Sequence, residues 1–144
     1  MVKTEDLNFI DAFRELDGRQ LAEVRERLVT GRYRGGQAIF QEGDPGLAMY
    51  FILEGSVQIC RRTQQGTRQL IERIRSGHVF GEMAIIDGGP RSATALAVGD
   101  TKLAVLGRKD FEALMEAQPR IAALLLRRIS RMLSLRLRRT NAML

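Results

Sequence analysis

One short stretch of the sequence, residues 80–95, brings together residue types that could hold an anion and accept a hydrogen bond from a hydroxyl group. Gly81 lets the backbone approach another group closely, and Glu82 follows it at the start of a short apolar run. The Gly-Gly-Pro at 88–90 predicts a tight turn, and Arg91 comes directly after it. The start of a short helix presents free N–H groups and partial positive charge, and an arginine adds a planar fork that suits phosphate. The stretch therefore predicts a small anion cradle beside a carboxylate that can accept a hydrogen bond from a hydroxyl group.

The region that must position this cradle alternates short apolar runs with glycine-containing turns. After a strand–turn–strand unit that starts at Tyr33, strands are predicted at 49–53, 57–62, 70–74, 94–98 and 102–106. Turns are predicted at Glu54-Gly55, Gln65-Gly66 and Gly99-Asp100. Short strands at regular turn spacing favour a small barrel or roll over a parallel sheet.

Helical periodicity is found on both sides of the strands. Thr4 is predicted to cap a first helix with three apolar residues at helical spacing: Leu7, Ile10 and Phe13. Asp17 and Gln20 predict a capping box for a second helix that ends at Gly31. The buried face predicted for that helix consists of Leu21, Val24 and Leu28. Downstream, a short helix is predicted to end near Gln118, and a last helix to run from Pro119 to about residue 139. The expected organisation is one domain, with helices in 1–31, strands in 32–107 and helices in 108–140.

Composition restricts the class of protein. The 144 residues suffice for one domain with a real core, and the single cysteine, Cys60, excludes an internal disulfide. The N-terminal sequence is acidic and amphipathic, unlike a secretory signal, and no stretch approaches the roughly 20 apolar residues of a membrane span. We therefore expect a soluble, cytoplasmic protein.

The net charge of +6 is concentrated at one end of the chain. Residues 119–144 contain seven arginines and no acidic residue, whereas the rest of the chain has 16 basic and 17 acidic residues. The predicted last helix also has an apolar stripe broader than one contact with the roll requires. This helix could be a dimer seam or a lid over the roll, a membrane-surface helix, or a nucleic-acid contact. The first is favoured, because Arg136 falls inside the apolar arc and so disfavours membrane contact.

The stretch at 80–95 resembles the phosphate-binding cassette of the cyclic nucleotide-binding domain family. The family pattern is Phe-Gly-Glu-x-Ala, a short loop, and Arg-x-Ala-Thr. This sequence matches it at Phe80, Gly81, Glu82, Ala84, Pro90, Arg91, Ala93 and Thr94. The Glu-to-Arg spacing is similar to that of cAMP-dependent protein kinase regulatory subunits and bacterial cyclic nucleotide-gated channels, and is one residue shorter than in the catabolite activator protein. The resemblance extends over about residues 21–139.

The resemblance implies both a fold and a site. The implied fold is α+β, mainly β: an eight-stranded antiparallel, jelly-roll-like β-roll with N-terminal helices and two C-terminal helices. Arg91 would pair with the phosphate, and Glu82 would accept the ribose 2′-hydroxyl. The remaining implied ligand-binding residues are Phe80, Gly81, Met83, Ala84, Ser92 and Ala93. Family members usually cover the purine with a residue of the last helix, for which the candidates are Arg128, Arg131 and Met132.

The predicted function is that of a stand-alone regulatory module that binds a cyclic nucleotide and signals through its C-terminal helix to a dimer mate or an effector protein. In cGMP-selective members of the family the residue after the arginine is often threonine. Here it is Ser92, whose hydroxyl leaves the choice between cAMP and cGMP open, and cAMP is the expected ligand. In the catabolite activator family a helix-turn-helix domain follows the last helix, and the sequence leaves no room for one, so sequence-specific DNA binding is not expected. The alternatives are a degenerate domain that binds no nucleotide and serves as a protein-interaction scaffold, and a nucleic-acid or membrane regulator.

Catalysis and metal binding are not expected. The single histidine, His78, lies in a predicted turn, and Ser92 and Asp87 belong to no nucleophile motif. The sequence has no cluster of His, Cys, Asp and Glu with metal-ligand spacing. The only small molecule expected is therefore the cyclic nucleotide itself.

Overall fold

The computed structural model describes residues 2–142 and contains an antiparallel six-stranded sheet flanked by helices. The elements, in chain order, are α1 (Thr4–Leu7), a 3-10 turn (Asp11–Phe13), α2 (Gly18–Arg25), β1 (Leu28–Tyr33), β2 (Ala38–Phe40), β3 (Ala48–Arg62), β4 (Arg68–Arg75), β5 (Val79–Phe80), α3 (Met83–Asp87), β6 (Thr94–Gly107), α4 (Arg108–Ala117) and α5 (Pro119–Ala142). The strands follow the order β1-β6-β3-β4, while β2 pairs with β6 and β5 pairs with β3. This is the predicted α+β arrangement with helices at both ends.

The predicted number of strands, eight, is wrong: six strands lie within residues 2–142. The predicted strands 49–53 and 57–62 are the two halves of β3, and 94–98 and 102–106 are the two halves of β6. The halves of β3 nevertheless have different neighbours, because the first half pairs with β5 and the second half with β4. Each long strand therefore covers the positions at which two short strands were predicted.

Each of the two long strands contains a glycine with positive φ where the β3–β6 pairing changes register. Gly55 has a φ of 90° and Gly99 a φ of 70°, both in the left-handed region that favours glycine. A Cβ atom on Gly55 would lie 2.6 Å from the Asp100 carbonyl oxygen. The register between β3 and β6 shifts on either side of Glu54, so the ladder continues past the two glycines instead of ending there. The sequence predicts turns at both glycines but does not reveal that the hydrogen bonding between β3 and β6 continues on both sides of them.

The N-terminal helices differ from the prediction in two respects. Thr4 is the first residue of α1 rather than its cap, and the expected first helix is divided into α1 and a 3-10 turn. The capping box of Asp17 and Gln20 is confirmed, with each residue's backbone N–H bonded to the other's side chain. However, α2 ends at Arg25 rather than Gly31, and Leu28 already belongs to β1. Tertiary pairing with β6 overrides the helical spacing of Leu28.

The C-terminal helices agree with the prediction. Helix α4 ends at Ala117 with Gln118 as its C-terminal cap, and Pro119 opens α5. Only the first half of α5 is buried, at Ile121, Ala122, Leu125 and Ile129. These side chains join a core formed by the terminal helices and one side of the sheet. A second core, which includes Tyr50, Ile52, Phe80 and Leu103, fills the interior of the roll.

An ion pair fixes α5 to the N-terminal segment. Arg128 Nη2 lies 2.8 Å from Asp11 Oδ1, and the Arg128 Nε–H also donates to Asp11 Oδ2 at 3.3 Å. The bidentate hydrogen bonds from Arg128 lower the pKa of Asp11 below its ordinary value of 3.8.

We therefore expect a pH-dependent contribution of this pair to folding stability. A depressed carboxylate pKa stabilises the folded state above the unfolded value and stops doing so as pH falls through the folded value. Arg128→Met should lower the free energy of unfolding by about 1 kcal/mol at pH 7. The difference should vanish below the folded pKa of Asp11. Urea unfolding at several pH values measures this, with Asp11→Asn and the double variant completing the cycle; an unchanged difference at low pH would contradict it.

Candidate functional site

A pocket of about 370 Å³ opens on the roll beside α3. Its lining comes from the inner face of the roll, the α3 turn, the loop before β6 and one side chain of α5. The lining residues are Phe40, Ile59, Glu72, Ile74, Phe80, Gly81, Glu82, Met83, Ala84, Asp87, Gly89, Pro90, Arg91, Ser92, Ala93 and Arg136. This volume is within the range of small-molecule sites.

Arg91 is the cation of the pocket and is held rigidly. Its side chain is 6% exposed, and its guanidinium donates to the Gly81 carbonyl at 2.9 Å and to the Ala48 carbonyl at 2.7 Å. The guanidinium carbon lies 4.0 Å from the centroid of the Phe40 ring. Two carbonyl acceptors and an aromatic face together fix the plane of the fork.

The charge of Arg91 is not paired with a carboxylate in the part of the chain that the structure describes. The Arg91 Nε–H is also buried without an acceptor among these residues. Burial lowers the pKa of Arg91, which is the expected response of a cation removed from water. Buried charges in proteins are normally paired. The pocket therefore suits an anion placed on the Nε side of Arg91.

Glu82 is the buried carboxylate of the pocket, at 4% exposed, and Glu72 and Asp87 line the same pocket. Burial raises its pKa above the ordinary value of 4.5, and the charge of Arg136 opposes that rise. Arg136 Nη1 lies 3.5 Å from Glu82 Oε1, and Arg136 Nε lies 3.4 Å from Glu72 Oε1. The carboxylate thus offers acceptor oxygens inside the pocket and is linked to α5 by a single long side chain.

Close backbone approaches shape the pocket at two glycines. Gly81 has a φ of 74°, and a Cβ atom there would lie 2.8 Å from Arg91 Nη1. A Cβ atom on Gly46 would overlap the Ala84 Cβ. Side chains at either position would displace the arginine or α3.

Backbone hydrogen bonds fix the loop that carries Arg91. The Arg91 backbone N–H donates to the Asp44 carbonyl at 2.8 Å, and the Arg91 carbonyl accepts from the Gly43 N–H at 2.9 Å. The guanidinium of Arg108, the first residue of α4, donates to the Ala84 carbonyl at 2.7 Å and so links α3 to α4. The Glu-Gly-Asp at 42–44 therefore supports the site from outside the pocket.

All eight residues that the resemblance assigns to ligand binding line this one pocket: Phe80, Gly81, Glu82, Met83, Ala84, Arg91, Ser92 and Ala93. The three candidates for a lid over the base lie elsewhere. Arg128 pairs with Asp11, Arg131 lies 3.6 Å from Glu15, and Met132 packs against the core between the helices and the sheet. The structure instead brings Arg136 to the pocket. The sequence does contain a signal for this contact. Arg136 lies in the apolar arc of α5, and a charged side chain on the buried face of a helix is normally paired with a polar group.

Residues 2–142 contain neither a metal-binding cluster nor a membrane-spanning helix. No group of three or more His, Cys, Asp or Glu side chains there could hold a metal ion. None of the helices in this range combines the length and the hydropathy that crossing a membrane requires.

Comparison with known proteins places the chain in a family. The sequence profile of the cyclic nucleotide-binding domain matches residues 30–118. The cyclic AMP receptor protein of Thermus thermophilus is 41% identical over 101 residues, which are 67% of this chain and 47% of that protein. Among solved structures, a cyclic nucleotide-binding domain from Methylobacillus flagellatus superposes with a TM-score of 0.88 at 26% identity, covering 98% of this chain and 82% of that one. The regulatory domain of Toxoplasma gondii PKA, crystallised with cAMP, gives a TM-score of 0.75 at 27% identity, covering 89% and 48%.

The chain belongs to the cyclic nucleotide-binding domain family. It spans about a quarter to a little over half of the length of the first curated relatives that it matches. It is similar both to a bacterial cyclic AMP receptor protein and to regulatory subunits of cAMP-dependent protein kinase. Family membership thus agrees with the resemblance detected in residues 80–95.

Proposed function

We propose that this chain is a regulatory module that binds a cyclic nucleotide, with cAMP preferred, in the pocket between Glu82 and Arg91. The observation that carries the proposal is a buried guanidinium with an unused Nε–H and no carboxylate partner among residues 2–142. A cyclic nucleotide has one phosphate charge, which would supply the missing counter-ion. The ligand that the Toxoplasma gondii domain was crystallised with supports the choice of cAMP.

The rest of the ligand suits the remaining lining of the pocket. Glu82 accepts the ribose 2′-hydroxyl in this proposal, while the Gly81 backbone packs against the sugar. The Ser92 hydroxyl and the free N–H groups at the start of α3 add donors to the phosphate. Ile59 and Ile74 lie on the apolar side of the pocket, where a purine can be buried. Nothing in this set requires a metal or a catalytic base.

Competition binding tests the proposal. A fluorescent cAMP analogue titrated into the chain should bind saturably at one site, and unlabelled cAMP should displace it at lower concentration than cGMP. Linear 5′-AMP, with a doubly charged and differently placed phosphate, should compete poorly. Recovered cAMP should be chemically unchanged, which separates a binding module from a phosphodiesterase. The alternative, a degenerate domain that binds no nucleotide, predicts no saturable signal.

The signal would leave through α5, because Arg136 connects that helix to the pocket. Its guanidinium contacts the Glu82 carboxylate that the ribose would use, so the ligand and α5 compete for the same oxygens. A ligand shifts a conformational equilibrium only by binding the two states differently. Displacement of Arg136 by the ribose provides such a difference.

Removing this contact should therefore strengthen binding. Arg136→Gln abolishes an ion pair in which the Arg136 side chain is 30% exposed and the Glu82 side chain 5% exposed. An ion-pair energy of about 0.2–1 kcal/mol corresponds to a gain in cAMP affinity of about 1.4- to fivefold. Arg139→Gln, on the exposed face of the same helix, should leave affinity unchanged. Weaker binding by the Arg136 variant would show that the arginine closes over the ligand instead of yielding to it.

The outer half of α5 supplies a surface for self-association in this proposal. Leu135 and Leu137 are 51% and 62% exposed, beyond the part of the helix buried on the roll. The two side chains are about 200° apart around the helix axis, so a second copy of α5 packed against this end of the helix would bury part of this apolar surface. Sedimentation velocity with and without cAMP should show a dimer whose population changes with ligand. If the chain is a monomer both with and without cAMP, the signal would have to pass to another effector protein instead of a dimer mate.

A further inference from the structure

A second concave surface lies between the tip of the β3–β4 hairpin and the loop that follows β2. Its cavity volume is about 590 Å³, and three exposed arginines line it, Arg61, Arg62 and Arg68. Glu42 and Thr94 line the same cavity. Three guanidinium charges against one carboxylate leave this surface with a net charge of about +2.

The arrangement of these arginines is unfavourable in the absence of an anion. Arg62 and Arg68 are direct partners in the antiparallel pairing of β3 with β4. Like charges directly opposite each other on paired strands destabilise a sheet. A hairpin that needed only solubility could carry a carboxylate at one of these positions, as such a cross-strand pair would be attractive.

The one carboxylate in the cavity does not neutralise the pair. Glu42 Oε1 accepts a hydrogen bond of 3.4 Å from the backbone N–H of Arg62, and the Glu42 N–H donates to Thr94 Oγ1 at 2.9 Å. Within residues 2–142, none of the three guanidinium groups forms an ion pair with a carboxylate. The guanidinium forks of Arg62 and Arg68 therefore remain available to an external anion.

We propose that Arg62 and Arg68, with Arg61 beside them, form a second binding site for a phosphate compound that carries at least two negative charges. Guanidinium groups bind phosphate oxygens in a bidentate manner, and two forks from neighbouring strands match two adjacent phosphoryl groups. The net charge of the cavity favours such a ligand over a singly charged cyclic nucleotide. Arg61 also donates to the Ser92 carbonyl at 3.4 Å, so this site adjoins the loop that carries Arg91. The proposal does not depend on nucleotide binding in the first pocket.

Calorimetric titration with pyrophosphate tests the second site on the full chain. The ionic strength is held constant with potassium chloride, and the variants are Arg62→Gln, Arg68→Gln and Arg73→Gln. Arg73 is an exposed arginine of β4 outside the cavity and serves as the matched control. We expect saturable binding, a loss of about tenfold or more in affinity for each of the first two variants, and no change for the third. Arg68→Gln should also raise the melting temperature of the ligand-free chain, because it removes the like-charge pair.

Other outcomes would overturn the proposal. Equal affinities in all variants, or heats that disappear at constant ionic strength, would indicate screening rather than a site. Pyrophosphate binding that is lost in Arg91→Gln and retained in Arg62→Gln and Arg68→Gln would place the anion in the first pocket. A lower melting temperature for ligand-free Arg68→Gln would show that the opposed arginines do not repel each other.

Discussion

Arg91→Gln should weaken cAMP binding about 100-fold or more. The variant leaves a buried phosphate without its cation, and breaking a buried charge pair costs about 3–5 kcal/mol. The effect should be large because the side chain is almost fully buried and its plane is fixed by two carbonyls and the Phe40 ring. Competition against a fluorescent cAMP analogue measures the loss.

Loss of folding must be separated from loss of binding, because Arg91 also holds the Ala48 and Gly81 carbonyls. Arg91→Lys keeps the positive charge without the fork, so it should bind more weakly than the native chain and more tightly than Arg91→Gln. Arg73→Gln removes an exposed arginine of β4 and controls for net charge. Circular dichroism melts on each variant establish that the comparison is made on folded protein. Native affinity in folded Arg91→Gln would remove this residue from the site.

Glu82→Gln should weaken cAMP binding about 10- to 100-fold, since a hydrogen bond to a charged group contributes about 1.5–3 kcal/mol. The loss should be specific to the ribose hydroxyl. The variant should therefore bind 2′-deoxy-cAMP as well as the native chain does, because that ligand has no hydroxyl for Glu82 to accept. An equal loss for both ligands would mean that Glu82 supports the fold of the pocket rather than the sugar.

The same carboxylate predicts the pH dependence of binding. Burial raises the pKa of Glu82, so protonation begins at a higher pH than for an ordinary glutamate. The ionised form is the stronger acceptor. Affinity for cAMP should therefore be constant at neutral pH and fall as pH decreases through the raised pKa, and Glu82→Gln should not show this fall. A flat native profile down to the ordinary value of 4.5 would contradict this role.

The sequence predicts the pocket better than it predicts the elements that surround it. The types and spacing of Gly81, Glu82 and Arg91 define a local cassette, and local chemistry is what short motifs encode. The strand count was wrong because Gly55 and Gly99 turn the chain without interrupting its hydrogen bonding, which depends on the partner strand. Local spacing at Leu28 similarly favoured a helix, whereas pairing with β6 makes this residue part of β1.

The role of α5 could not be derived from sequence for a related reason. Which turn of a long helix lies above the pocket depends on how its first half docks on the roll, and that docking is set by Ile121, Leu125 and Ile129. The pairing of Arg128 with Asp11 and the reach of Arg136 to Glu82 both follow from this docking. The candidates chosen by helical position, Arg128, Arg131 and Met132, contact other groups in the structure, and their role as a lid over the base stays a prediction.

A crystal structure of this chain with cAMP would show whether Arg91 and Glu82 hold the nucleotide. We expect the cyclic phosphate within about 2.7–3.0 Å of the Arg91 guanidinium and the ribose 2′-hydroxyl hydrogen-bonded to Glu82. We also expect Arg136 to have moved away from the Glu82 carboxylate. A nucleotide bound elsewhere, or a pocket left empty at saturating cAMP, would show that these two side chains do not form the binding site.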